Sequence, residues 1–154
     1  MSLLAAPSAE ALTTTVDVGG TNYDVTYTNS KITYNGNQSL FNTLANGGEM
    51  PWWGSSILAQ QFATIVGSSL GYPNSDGEGP YFAYNGNVSS WYSSIFSSSV
   101  KQANGISPLA FRYYATATLH VSPPTAVPAP LPFLGVAAAF GMSRRLRQRL
   151  RSAP

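Results

Sequence analysis

The stretch Thr13–Asn29, TTTVDVGGTNYDVTYTN, decides how the rest of the chain is read. β-Branched or aromatic residues alternate with polar ones on both sides of Gly19-Gly20-Thr21-Asn22. Val16 and Val18 share one face, and Tyr23, Val25 and Tyr27 form the matching set across the turn. A period of two interrupted by glycines is the mark of an antiparallel hairpin. The segment KITYNGN (31–37) continues the alternation through Ile32 and Tyr34 to an Asn35-Gly36 turn, so the chain opens as antiparallel β.

The period then changes. In SSILAQQFATIVGSSLGYPN (55–74), Leu58, Phe62, Ile65, Val66 and Leu70 recur at helical spacing. Ser55 or Ser56 can cap the start, and Gly71 with Pro73 supplies a stop. Gly67 inside such a helix costs roughly 1 kcal/mol relative to Ala, which predicts that it permits close packing against the sheet. After the turn-rich NSDGEGP (74–80), the aromatic segments YFAYNGNVSSWYSSIF (81–96) and PLAFRYYATATLHV (108–121) read as strands, the last from Ala110 to Val121. The predicted fold is a small α+β domain over residues 12–121, an antiparallel β meander with one principal helix packed on it. The element YNGN occurs at Tyr34–Asn37 and again at Tyr84–Asn87, and reads as two uses of the Asn-Gly turn.

Composition limits the function classes. The chain of 154 residues allows one ordinary domain with terminal segments to spare. Charged residues make up 9% of it, against roughly 25% in an average soluble protein. The net charge of +2 hides an asymmetry, because Arg144, Arg145, Arg147, Arg149 and Arg151 supply five of the eight basic residues. Without them three bases face six acids, a balance of −3. The basic pI therefore belongs to the C-terminus, and composition argues against nucleic acid as a partner of the domain. The absence of cysteine removes disulfides, thiolate metal sites and cysteine nucleophiles together.

Candidate chemistry is sparse. Trp52-Trp53, between Pro51 and Gly54 just before the helix, joins Trp91 and Tyr92 as the candidate ligand platform, since indole faces stack on the apolar faces of sugar rings. The same pair can divide its labour, one ring plugging the core and the other lying at the surface. Asp76 and Glu78 stand two apart in a glycine-rich loop. That spacing lacks the opposed carboxylates of a glycosidase and the twelve-residue loop of an EF-hand. His120 is the single histidine and has no evident nucleophile to serve. No metal or cofactor is indicated, and the expected role is not enzymatic.

The termini differ from the middle. Residues 1–11 hold a short apolar stretch, Leu3–Ala6, then Pro7 and the small-x-small triplet Ala9-Glu10-Ala11, which reads as the remnant of a signal peptide cut after Ala11. From Ser122 prolines concentrate in SPPTAVPAP (122–130), an extended linker. Leu131–Met142 then runs twelve residues without a charge, and the arginines follow. At about 1.5 Å per residue this is roughly 18 Å of helix, short of the ~30 Å hydrocarbon core. A snorkelling span with its arginines in the cytoplasm and an interfacial helix built on Leu146 and Leu150 both remain open.

The order of Pro-rich spacer, Pro-x-Pro, small-residue apolar helix and terminal arginine cluster resembles the PEP-CTERM class of C-terminal sorting signals. PLPFLGVAAAFGMSRRLRQRLR is particularly similar to variant tails on cyanobacterial members. The resemblance implies that Val127, Pro128, Ala129 and Pro130 occupy the motif read by an exosortase-like processing enzyme. Ala129 departs from it, standing where the named motif has Glu. The transient membrane segment would be Leu131, Pro132, Phe133, Leu134, Gly135, Val136, Ala137, Ala138, Ala139, Phe140, Gly141 and Met142. Arg144, Arg145, Arg147, Arg149 and Arg151 would be the cytoplasmic stop. It further implies export to the cell surface or extracellular matrix, in the company of exopolysaccharide. The middle of the chain is similar to uncharacterised cyanobacterial proteins with such tails. The expected function is that of a sorted surface or matrix protein whose domain is structural or carbohydrate-binding. The alternatives are a permanently membrane-anchored protein and a secreted hydrolase.

Overall fold

Residues 12–123 are described by the structure, a computed structural model. The expectations for 1–11, Val127–Pro130, Leu131–Met142 and Arg144–Arg151 fall outside the described residues.

Strands β1 (Thr14–Val18) and β2 (Thr21–Tyr27) form the hairpin anticipated from their alternation. The register pairs Val18 with Thr21 and leaves Gly19-Gly20 as a two-residue turn. Both glycines have positive φ, 63° and 81°, the conformation that a right-twisted hairpin demands and that side chains resist. Val16 and Val25 are buried beneath this sheet.

Helix α1 (Ser56–Val66) starts at Ser55, whose Oγ accepts from the Leu58 N–H at 3.2 Å. It ends one turn earlier than Gly71 would place it. Gly67 has φ 53° and donates its N–H to Ala63 O, so it is the stop and not an interior packing residue. The buried face is Ala59, Phe62, Ala63 and Val66, while Ile65 is half exposed and Leu70 is buried beyond the helix. Burying Phe62 alone contributes about 2 kcal/mol.

The chain then forms β3 (Phe82–Ala83), β4 (Ser90–Ser94), β5 (Ser97–Ala103) and β6 (Ala115–Leu119). The described strands make two antiparallel sheets of three, in the orders β1-β2-β6 and β3-β4-β5. This is the α+β class with one main helix. Within it three local expectations change. Residues 32–34 form no strand, only a bridge between Ile32 and Arg112. The final strand is confined to 115–119; Tyr114 before it accepts the Thr28 N–H at 3.0 Å and forms only an isolated parallel bridge with Tyr81. Strand β5 is serine-rich and shows no β pattern of its own; pairing to β4 makes it a strand.

The sheets are joined by hydrogen bonds from Tyr81 N to Tyr113 O and from Ala115 N to Tyr81 O, both 3.0 Å. Buried Asn74 pins the same seam. Its Nδ2 donates to Gly79 O and Tyr113 O, and its Oδ1 accepts from Tyr113 N at 2.9 Å. The loop read as turn-rich from NSDGEGP is thereby stitched along β4, with Gly79 N on Ser93 O at 2.8 Å and Ile95 N on Gly77 O at 3.0 Å.

Candidate functional site

The four residues of the sequence-derived platform occupy four different settings. Trp52 is fully buried, packs against Phe62 and Phe82 and donates Nε1–H to Ala83 O at 3.0 Å. Its ring is core, and no ligand can reach it. Trp91 and Tyr92 are consecutive on β4 and so point to opposite faces of their sheet. Trp91 is half-buried with Nε1–H on Ser56 Oγ at 3.1 Å. Tyr92 lies edge-on to Tyr81 with ring centroids 5.1 Å apart. Trp53 is half-buried at the surface.

A different set gathers around Trp53. Its ring stacks on Tyr34, with centroids 6.0 Å apart and planes 18° from parallel, and Phe41 closes one side edge-on at 5.7 Å. The neighbouring Gly54 N–H donates to Tyr84 O at 2.9 Å. The Tyr34 hydroxyl lies so close to Gly86 that a Cβ there would sit 3.2 Å from it. The two YNGN elements, distant in sequence, therefore meet around Trp53. The likeness between them runs further than YNGN: Tyr34–Ser39 is YNGNQS and Tyr84–Ser89 is YNGNVS. That recurrence was the available signal, and turn chemistry alone concealed it.

The second of these turns carries strain. Val88 has φ 50° while fully buried, an arrangement that costs a β-branched residue about 1–3 kcal/mol. It is held by Val88 N on Asn85 O at 2.9 Å and by Ser89 N on Asn85 Oδ1 at 3.1 Å. Each turn also carries an exposed asparagine, Asn35 next to Tyr34 in the chain and Asn87 next to Gly86. An amide is donor and acceptor at once, which suits a ring bearing adjacent hydroxyls.

The ionisable candidates are placed as follows. Asp76 is exposed, whereas Glu78 is half-buried and accepts the Tyr81 hydroxyl, so the two carboxylates do not act together. Burial raises the Tyr81 phenol, and Glu78 adds to the shift; the Tyr92 phenol is raised by burial and then by the Glu78 charge. His120 Nδ1 lies 2.9 Å from both oxygens of Asp24, which also accepts from Thr15 Oγ1 at 2.6 Å. The Thr15 bond first and His120 second hold the Asp24 carboxyl below its usual range. Among the described residues no three of His, Asp and Glu cluster as a metal site, and no helix is long and apolar enough to cross a membrane. A groove of about 640 Å³ between the β1–β2 turn and Ile57 and Ile65 of α1 is mostly apolar, with Asp17, Gln60, Gln61 and Thr64 also in its lining, but it offers no ring for stacking.

No family model, curated protein or solved structure matches the chain.

Proposed function

We propose that the protein is an exported surface or extracellular-matrix protein, sorted by its C-terminal segment, whose folded domain binds carbohydrate at Trp53 and Tyr34. The observation that carries the binding role is the half-buried Trp53–Tyr34 stack, at which the turns bearing Asn35 and Asn87 come together through the Tyr34 hydroxyl and Gly86. A partly exposed aromatic face can stack on the apolar face of a sugar ring, and neighbouring amides can pair with its hydroxyls. The export reading is supported by the PEP-CTERM-like order of residues 122–154, with an exosortase-like enzyme and the membrane as its transient partners.

Retention of the full chain on immobilised polysaccharides tests the binding role. Trp53→Ala should lower retention about tenfold on the polysaccharide that holds the wild type, with the far-ultraviolet circular dichroism unchanged. Equal retention of wild type and Trp53→Ala on every polysaccharide would remove the proposal.

A further inference from the structure

We propose that the hexapeptides Tyr34–Ser39 and Tyr84–Ser89 are two halves of one cleft for an uncharged glycan chain, each half engaging one of two neighbouring sugar residues laid over Trp53 and Tyr34. This rests on the carbohydrate reading above and goes beyond it in naming the ligand class and the residues that select it.

The recurrence is not explained by a shared turn. In the first hexapeptide Asn37 N donates to Tyr34 O at 3.1 Å, and Asn37 Nδ2 donates to Thr33 O at 3.1 Å. In the second, Val88 N returns to Asn85 O, and Tyr84 N bonds Ser89 O at 3.0 Å. The same letters fold in two ways. What they have in common is location, because Tyr34 stacks on Trp53, Tyr84 O takes the next N–H along, and the Tyr34 hydroxyl reaches Gly86.

The asparagines keep hydrogen-bonding capacity in reserve. Asn35 and Asn87 are exposed, and neither side chain bonds to another described residue. Asn37 uses its amide nitrogen locally and leaves Oδ1; Asn85 uses Oδ1 and leaves Nδ2. Each turn thus keeps unpaired amide donors and acceptors, one turn beginning at Tyr34 and the other touching its hydroxyl through Gly86, enough for the paired hydroxyls of one sugar residue.

Charge selects the ligand class. Residues 32–48, 50–75 and 79–100, which contain the cleft, hold no Asp, Glu, Lys or Arg. The cations beside Ile32, Lys31 and Arg112, are engaged elsewhere, Lys31 over the Tyr113 ring and Arg112 on Phe111 O, so a uronic or sulfated glycan would lack a free cation there, and removing its charge from water without one is costly. A neutral glycan meets no such penalty.

The test is calorimetric titration of the full chain with neutral hexasaccharides of glucose, mannose and xylose and with hexagalacturonate, at low and high salt. The proposal predicts binding of a neutral oligosaccharide with affinity constant within about twofold between the two salt conditions, since no ion pair is screened. Asn35→Ala and Asn87→Ala should each weaken it about three- to tenfold, in keeping with the loss of one or two hydrogen bonds. Gly86→Ala, which crowds the Tyr34 hydroxyl, should weaken it further. Trp53-dependent binding of hexagalacturonate that fades with salt would overturn this inference and leave the carbohydrate reading standing. Neutral binding unaffected by both asparagine variants would likewise overturn the two-half cleft alone. Failure of every oligosaccharide to bind would overturn both.

Discussion

Trp52 and Trp53 are neighbours in sequence with opposite fates, and their substitutions should separate cleanly. Trp52→Ala empties a fully buried site among Phe62 and Phe82 and orphans Ala83 O. It should cost about 3–5 kcal/mol in urea unfolding. Trp53→Ala should act chiefly on binding. Tyr114 is a second residue with a legible energetic signature. Its ring is fully buried, its hydroxyl has no hydrogen-bond partner among the described residues, and burial pushes its phenol up to about 12. The raised value means that folding favours the protonated form. This contribution is complete below pH 10, where the unfolded phenol is still protonated, and is lost as the pH climbs from 10 through 12. The loss should approach roughly 3 kcal/mol, with the raised Tyr81 phenol acting in the same direction. Tyr114→Phe removes an unsatisfied polar group, so it should add about 1 kcal/mol at pH 7 and flatten the alkaline decline seen in urea titrations.

At the scale of elements, what the sequence revealed depended on whether neighbours or distant partners decide the structure. The β1–β2 hairpin was legible because alternation and the Gly19-Gly20 turn are local. Helix α1 was legible for the same reason at its start, where Ser55 caps Leu58 N. Its end was misread because Gly67 can serve either as interior or as stop, and only the left-handed φ distinguishes them. Strand β5 was invisible because pairing with β4 overrides weak serine propensities. The aromatic pair was half legible. Trp53 announced itself, whereas Tyr34 became its partner through long-range packing that no window of sequence contains. Two predictions belong here. Ser55→Ala should lower stability by about 1 kcal/mol in thermal or urea unfolding. Asn74→Ala, which breaks two part-buried hydrogen bonds to Tyr113 and a buried one to Gly79 O at the seam of the two sheets, should cost about 2–4 kcal/mol. Hydrogen exchange should also quicken first at Tyr113, whose N–H loses its acceptor.

The whole molecule divides its chemistry along its length. The folded unit closes at Val121, and five arginines stand near the C-terminus of a chain otherwise poor in charge. If the C-terminal segment is a removed sorting signal, native protein from the medium or cell surface should have an intact mass ending near Pro128–Pro130. A mass that always reaches Pro154, with the protein confined to membranes, would make that segment an anchor instead. The binding claim has a sharper readout, because the protein has three indole N–H groups in distinct settings. Trp52 donates to Ala83 O and Trp91 to Ser56 Oγ, while Trp53 stands in the aromatic pair with Tyr34. The most direct measurement is to follow those three signals by ¹⁵N NMR while the full chain is titrated with neutral hexasaccharides. The Trp53 signal should shift in a saturable way while the Trp52 and Trp91 signals stay within line width. Three unmoved indoles, or a shift confined to Trp91, would contradict the binding claim.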